Sequence, residues 1–160
     1  MHAQGFCYKE YTQGRRFIIK VHPGESIVKC ISEFVTIENI HYAVILSAIG
    51  SVKNVQLRGI KSGAKLPITS ARVNTILVEG PLELVALTGN IVPDESDKVD
   101  CHLHIMAGKS SGDVVGGHMN DAEVFATCEI VLTELVVDGI ERCYSVAGGV
   151  STFHFNGDEE

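Results

Sequence analysis

Apolar and polar residues alternate along most of the chain, which indicates a protein built mainly of β-strands. In the segment 15–22, for example, Phe17, Ile19 and Val21 fall on one face, as the two-residue repeat of a strand requires. The same reasoning predicts further strands over 42–49, 52–60, 72–78, 82–92, 99–107, 124–137 and 140–147, the last extended by 153–155. Gly50-Ser51 and Asp138-Gly139 are interpreted as turns, and the second is typical of a hairpin.

Clear helical periodicity is found in one segment. Within 25–38, apolar residues recur at spacings of three and four, at Ile27, Cys30, Ile31, Phe34 and Val35. This pattern predicts an amphipathic helix after the Pro23-Gly24 break, and a second short helix is predicted around 121–124. We therefore expect an α+β fold, a mostly antiparallel β-sheet with one main amphipathic helix after the first strand.

The length of 160 residues suits a single domain. Residues 1–14 are polar and aperiodic and are interpreted as an N-terminal extension, in which Phe6 and Tyr8 indicate an edge strand. Residues 15–157 are interpreted as one domain, because no internal repeat or linker divides them. No apolar run reaches the roughly 18 residues that a membrane span needs, so no membrane partner is predicted.

The cysteines and the start of the chain bear on the cellular compartment. The chain has 5 cysteines, an odd number, and no pair has the CxxC spacing. No signal-peptide pattern follows Met1. We interpret the location as cytoplasmic and the thiols as reduced residues of the core.

The overall charge is acidic, which disfavours a nucleic-acid partner. The chain has 13 Lys and Arg residues against 20 Asp and Glu residues, a formal net charge of −7. Non-specific DNA binding depends on cationic side chains that contact phosphates. Four basic residues surround one long loop: Arg58, Lys61, Lys65 and Arg72. We interpret them as a solvated rim, and the alternative is that they form a local basic patch.

Three histidines in one stretch have the spacing of metal ligands. His102 and His104 are two residues apart on a predicted strand, so both point to one face with Cα atoms roughly 6.6 Å apart. Gly116-Gly117 allows a close backbone approach that brings His118 to the same point. Three protein ligands with an open fourth position are typical of catalytic zinc sites, and the open position usually holds water. The alternative is that these histidines are structural.

One carboxylate is unusual in its surroundings. Glu83 lies between Leu82 and Leu84 in an apolar strand, where an unpaired charge is costly. It is a candidate to orient a ligand histidine or to act as a general base; alternatively, it lies on a sheet face and pairs with Lys or Arg. Glu129 raises the same question. Three other histidines, which have no ligand-like spacing to one another, are predicted to lie at the surface: His22, His41 and His154.

The histidine stretch resembles the signature of a known family. HLHI at 102–105 and GDVVGGH at 112–118 are similar to the HLHI…GxVxGGH signature of prokaryotic proteins of the plants-and-prokaryotes-conserved (PPC) family. IGSV at 49–52 and GPLELVALTG at 80–89 resemble two further elements of that family. The matching elements extend over 15–135, which is close to the full chain.

The resemblance implies a fold, an assembly and a ligand set. It implies a sandwich-like domain with a mostly antiparallel sheet, assembled as a homotrimer and similar in fold to acetolactate decarboxylase, another zinc protein. The family's metal ligands correspond to His102, His104 and His118. Plant members carry a similar domain beside AT-hook DNA-binding motifs and lack these histidines. This chain keeps the histidines and contains no Arg-Gly-Arg-Pro hook.

These observations lead to one preferred function and two alternatives. We expect a trimeric metal-binding protein whose open coordination position acts on or senses a small molecule, with a divalent ion. Zinc is favoured over iron, nickel and manganese, and imidazole ligands suit manganese least. The first alternative is a DNA-binding regulatory or architectural protein, which needs a contiguous basic face. The second is an ion that serves only folding or assembly.

Overall fold

Strands make up most of the computed structural model, which describes residues 2–3 and 5–156, with side chains from Gly5 onward. Residue 157, the predicted end of the domain, lies outside the described residues. The strands are β1 (His2–Ala3), β2 (Phe6–Cys7), β3 (Thr12–Val21), β4 (Ala43–Ile60), β5 (Val73–Val78), β6 (Leu82–Pro93), β7 (Val99–Gly108), β8 (Val114–Val136), β9 (Ile140–Ser145) and β10 (Val150–Phe155). The helix α1 spans Ile27–Ile37, and a 3₁₀ turn spans Ser70–Arg72.

Four long strands close into a ring. β4 pairs with β6, β6 with β7, β7 with β8, and β8 pairs again with β4, all antiparallel. β3 extends the sheet beyond β8, and β5 extends it beyond β4. Apolar side chains that point into the ring are fully buried, among them Val52, Ile91, Leu103, Ile105 and Ile130. The prediction of an α+β fold with a mostly antiparallel sheet and one helix is confirmed.

Helix α1 covers the place where two strands of the ring separate. Pairing between β7 and β8 stops at Leu103 and Met119, and the apolar face of α1 packs over the opening. The hydroxyl of Ser26 accepts a hydrogen bond from the Lys29 amide at 3.0 Å and caps the first turn. Ile27, Ile31 and Val35 of α1 are fully buried. No helix in the described part of the chain is long and apolar enough to cross a membrane.

Two predicted interruptions of strands are wrong. Gly50-Ser51 is not a turn, since β4 runs unbroken from Ala43 to Ile60. Gly50 has φ +152, and a Cβ there would lie 2.1 Å from the Thr127 carbonyl oxygen, so glycine serves close strand packing. The short helix predicted around 121–124 is part of β8, where Val124 exchanges backbone hydrogen bonds with the chain that precedes α1.

The last two strands form a separate hairpin. Asp138-Gly139 joins β8 to β9, but β9 pairs with β10 and not with β8. Residues 153–155 therefore do not continue the preceding strand; they return antiparallel to it, with Phe155 opposite Ile140. An isolated bridge between Asp94 and Arg142 connects this hairpin to the end of β6. The hairpin thereby lies beside the outer face of the ring.

The cysteines differ in their exposure, and no disulfide links the ones that the structure describes. Cys128 is fully buried, and burial raises the pKa of its thiol to about 11. Cys7 is exposed, so the prediction that all the thiols belong to the core is wrong at that position.

Candidate metal centre

The three histidines singled out by their spacing lie together on the outer face of the ring. On β7, His102 and His104 flank Leu103, which points into the core and is fully buried. The Nε2 atoms of His102 and His104 are 3.2 Å apart. The centroid of the His118 imidazole lies 5.0 Å from that of the His102 imidazole and 5.3 Å from that of the His104 imidazole. One nitrogen from each of the three lies within 4.8 Å of the others.

The third histidine reaches this point because of how β8 pairs with β7. His118 lies directly opposite His104 in the antiparallel register. Gly116 makes this pairing feasible, since a Cβ there would lie 2.4 Å from the Ile105 carbonyl oxygen. The predicted close approach at the double glycine is therefore present, and its steric requirement is strongest at Gly116.

The separation of the nitrogens suits a small cation. Ligand atoms at about 2.0–2.1 Å from a tetrahedral ion lie roughly 3.3 Å from one another. The 3.2 Å between the Nε2 atoms of His102 and His104 agrees with that value, and one nitrogen of each of the three imidazoles lies within 4.8 Å of the others. The three imidazoles therefore fit a divalent ion and leave a position for a further ligand.

The protonation of two of the imidazoles also suits a cation. Burial lowers the pKa of His102 below its ordinary value of 6.5, and the neighbouring Arg142 and His104 lower it further. Burial likewise lowers the pKa of His118, with added repulsion from other histidines and from Arg58. Both rings are therefore neutral at pH 7, and a neutral imidazole is the form that binds metals.

The hairpin contributes a residue that the sequence interpretation missed. Arg142 of β9 is 6% exposed, and its Nη1 atom lies 3.4 Å from Nδ1 of His102. Its Nη2 atom donates to the side-chain oxygen of Asn90. Its Nε atom lies 2.7 Å from a carboxylate oxygen of Asp100, at ion-pair distance but without the alignment of a hydrogen bond. Asp100 is two residues from His102 on one strand, so the sequence could have shown that both side chains point to the same face. No local pattern could have identified Arg142.

The candidate carboxylates lie elsewhere. Glu83 is exposed on β6 opposite Gly108 and lines a separate, smaller pocket with Ser51 and Phe125. The residue of β6 that lies opposite His104 is Thr88, five positions from Glu83 and thus roughly 16 Å along the strand. Within one chain, Glu83 therefore lies too far from the histidines to orient one of them or to act there as a general base. Glu129 is exposed opposite Lys20 and also lies apart from the histidines.

Three further histidines, His22, His41 and His154, lie outside the cluster. His22 and His41 are exposed, and His41 lies 3.4 Å from Asp97. His154 is half-buried on β10. The surface prediction therefore holds for the first two and only partly for His154.

The basic residues near the long loop have two different roles. Lys61 donates to the Ala71 carbonyl at 3.0 Å, and Arg72 donates to the carbonyls of Lys65 and Pro67 at 2.5 and 2.6 Å. These side chains hold the loop between β4 and β5 in shape. Arg58 on β4 instead lies opposite His118 on β8, and it lines a cavity at the three histidines.

A cavity of about 750 Å³ opens onto the three histidines. The loop after β4 and the terminal hairpin enclose it together, because the Ile68 amide donates to the Gly148 carbonyl at 2.9 Å. Apolar lining comes from Ile60, Ile68, Val73 and Val150. This volume lies within the range of roughly 300–1,000 Å³ that is usual for pockets binding small molecules.

Two solved structures of similar proteins share this fold over nearly their full length, and a third shares it in part. A plant- and prokaryote-conserved protein from Pyrococcus horikoshii is 28% identical, with a TM-score of 0.81, over 93% of this chain and 97% of the other. A metal-containing protein from Archaeoglobus fulgidus is 30% identical, also with a TM-score of 0.81, over 93% of this chain and 99% of the other. Acetolactate decarboxylase from Bacillus subtilis subspecies spizizenii is similar in fold alone, with a TM-score of 0.51 and 16% identity over 78% of this chain and 54% of that chain.

Characterised relatives are much longer than this chain. A bifunctional protein GlmU from a Synechococcus strain is 25% identical over 88% of this chain, which covers 20% of that protein. The AT-hook motif nuclear-localized protein 14 of Arabidopsis thaliana is 30% identical over 62% of this chain and 22% of that protein. The chain thus spans about a fifth of the length of these relatives.

The family assignment follows from the match to a family model. The model of the Plants and Prokaryotes Conserved domain, abbreviated PCC or PPC, matches residues 8–136. That range contains the ring of strands, α1 and all three clustered histidines, whereas the terminal hairpin follows it. The chain therefore belongs to the Plants and Prokaryotes Conserved domain family.

Proposed function

We propose that His102, His104 and His118 bind one divalent metal ion, at which the protein acts on or senses a small molecule. The observation that carries this proposal is the convergence of three imidazole nitrogens within 4.8 Å at one end of a cavity. A bound cation would give these three imidazoles a common partner. The metal-containing relative from Archaeoglobus fulgidus, similar over nearly the whole chain, supports the proposal.

Zinc is the ion that we favour. Three imidazole nitrogens with an open fourth position are the ligand set of catalytic zinc sites, and iron or nickel would also suit imidazole. An ion held there would supply Lewis-acid chemistry to a ligand in the cavity. His104 is the most exposed of the three ligands, so the open side of the site faces the cavity rather than the core.

We also propose that the protein assembles as a homotrimer in the cytoplasm, as the family resemblance and the sequence imply. An apolar patch on the outside of the ring supports self-association; its exposed members are Val85, Met106, Val114 and Phe125. Gly108 lies among them. It pairs with Val114, lies beside Val85 and lines a small pocket together with Phe125. Burying such a patch against another copy would remove apolar surface from water, which favours association to the extent that it exceeds the entropy lost on binding.

DNA binding is the second candidate function, and the similarity to the Arabidopsis AT-hook protein favours it. The net charge of −7 opposes it, and Lys61 and Arg72 are engaged in holding their own loop. If DNA were the partner, affinity for duplex DNA would fall by orders of magnitude between 50 and 200 mM salt. Fluorescence anisotropy with a labelled duplex at both salt concentrations measures this directly.

The metal proposal is tested by calorimetric titration of metal-free protein with Zn²⁺ at pH 7. We expect one ion per chain for the wild type. His104→Ala and His118→Ala should each weaken binding by at least about 100-fold, because each removes one of three ligands. His22→Ala is the matched control, since it removes an exposed imidazole outside the site. Equal binding by the His22 and His118 variants would contradict the proposal, provided that circular dichroism shows both to be folded.

A further inference from the structure

The surroundings of the three histidines are basic, although the whole chain has a formal net charge of −7. Arg58, Lys98 and Arg142 line the cavity, and Asp100 is the one carboxylate among the described residues that line it. We propose that the small molecule bound at the metal is an oxyanion, whose carboxylate or phosphate group lies between the ion and Arg58. This inference rests on the proposed metal site and names the chemical class of its ligand.

Arg58 is placed to pair with such a ligand. It lies directly opposite His118 on the neighbouring strand β4, so the two side chains share the outer face of the ring. Arg58 and His118 also line the same cavity. Within the described part of the chain, the Arg58 guanidinium has no hydrogen-bond or ion-pair partner, whereas Arg15, Arg16, Arg72 and Arg142 each have one. A guanidinium fork matches the two oxygens of a carboxylate or phosphate.

Arg142 adds a second fixed cation on the other side of the cluster. Its guanidinium lies 3.4 Å from His102, and it cannot lose its proton at physiological pH. Asp100 lies 2.7 Å from Arg142 and offsets its charge, so the positive charge that remains at the cavity belongs to Arg58 and Lys98. Arg142 therefore holds Asn90 and His102 in place, and Arg58 is the arginine available to the ligand.

Charge balance points to an anion at the open position. The three imidazoles are neutral ligands and offset none of the charge of a divalent ion. Among the described residues Arg58 has no carboxylate partner, so its charge increases the positive potential at the ion, and in a partly enclosed cavity this potential attracts anions and opposes a cationic ligand. An oxyanion would offset the charge of the ion and the charge of Arg58 together.

The walls of the cavity indicate what the anion is attached to. Ile60, Val73 and Val150 line the cavity together with Ile68, which is 8% exposed. A free inorganic anion would leave this apolar surface in contact with water. A small organic acid or an organic phosphate would cover it, and the volume of about 750 Å³ is sufficient for a molecule of that size.

The test uses the full chain loaded with Co²⁺, whose visible absorption reports changes in its ligands. Benzoate, acetate and inorganic phosphate are titrated as probes, and benzamide is the neutral counterpart of benzoate. The variant is Arg58→Gln. Arg16→Gln is its matched control, since it removes the same charge from an exposed arginine on β3 that does not line the cavity.

We expect at least one oxyanion to change the cobalt spectrum of the wild type, and benzamide to leave it unchanged. Arg58→Gln should weaken anion binding by at least about tenfold, because it removes charge-assisted hydrogen bonds; Arg16→Gln should not. Tighter binding of benzoate or acetate assigns the ligand as a carboxylate, and tighter binding of phosphate assigns it as a phosphate. Cobalt binding without any response to the oxyanions, or equal anion affinity in the two variants, would overturn the inference and leave the metal site standing. Failure to bind cobalt at all would overturn both.

Discussion

His104 and His118 lie directly opposite one another on the antiparallel strands β7 and β8, with ring centroids 5.3 Å apart. Their distance is therefore set by the backbone pairing of two strands of the ring, rather than by a flexible loop. His102 joins them because it is two residues from His104 on the same face of β7. The site depends on the register of β7 and β8.

The first prediction concerns that register. Gly116→Ala should destabilise the protein by about 1–3 kcal/mol, as overpacking does, and should weaken metal binding, because its Cβ would lie 2.4 Å from the Ile105 carbonyl oxygen. Gly59→Ala is the matched control, since a Cβ there meets no atom within 4 Å. Urea denaturation and zinc titration of both variants measure the effect, and equal behaviour of the two would show that the strand approach is not needed.

The second prediction concerns assembly. Phe125→Glu places a charge in the exposed apolar patch and should convert the trimer to monomer, because burying an unpaired carboxylate is costly. Leu66→Glu makes the same change at an exposed position in the loop between β4 and β5 and should leave the trimer intact. Size-exclusion chromatography with light scattering measures the mass of each. A Phe125→Glu trimer would show that this patch is not the contact between copies.

The third prediction concerns an ion pair that joins β3, β8 and the end of α1. Arg15 Nε donates to Glu134 at 2.8 Å, and Arg15 Nη1 donates to Glu38 at 3.1 Å. Hydrogen bonds from Arg15 hold the pKa of Glu134 below its ordinary value of 4.5. A lowered pKa in the folded state means that the pair stabilises the protein above pH 4.5 and stops doing so as the pH falls through the folded-state pKa.

The difference in free energy of unfolding between the wild type and Glu134→Gln should therefore be largest at neutral pH and should shrink below pH 4.5. Urea denaturation at a series of pH values measures it. Glu129→Gln, a change to an exposed side chain on the same strand, is the control. A difference that stays constant with pH would show that the charge of Glu134 does not contribute.

The fourth prediction concerns thiol reactivity. Iodoacetamide at pH 8 should label Cys7 readily, because that residue is exposed. Cys128 should stay unlabelled until the protein is denatured, since it is fully buried and burial raises its thiol pKa to about 11. Mass spectrometry of peptides after timed labelling distinguishes them, and equal labelling rates would contradict the packing described for β8.

Much of the fold could be predicted from the sequence because strand and helix periods are local properties. The amphipathic pattern located α1 to within two residues of its start and one of its end. The failures at Gly50 and at 121–124 have one physical cause. Both lie in very long strands, where close packing and pairing with neighbouring strands determine the conformation, and local turn or helix signals are overridden.

The candidate site was predictable in part for the same reason. The spacing of His102 and His104 lies within one strand, and the double glycine before His118 indicated a close backbone approach. The apolar neighbours of Glu83 suggested a role near the histidines, whereas the structure places it on the exposed face of its strand, as the alternative interpretation expected. Arg142 could not be found, because only the folded hairpin brings it from β9 to within 3.4 Å of His102.

The most direct test of the central claim is the metal content of the untagged protein as purified, measured by elemental analysis beside His102→Ala. We predict about one zinc or similar divalent ion per chain in the wild type, and its loss in a variant that keeps the same circular dichroism spectrum. A wild-type protein that contains no stoichiometric metal would contradict the proposed metal centre and would make the histidines structural residues.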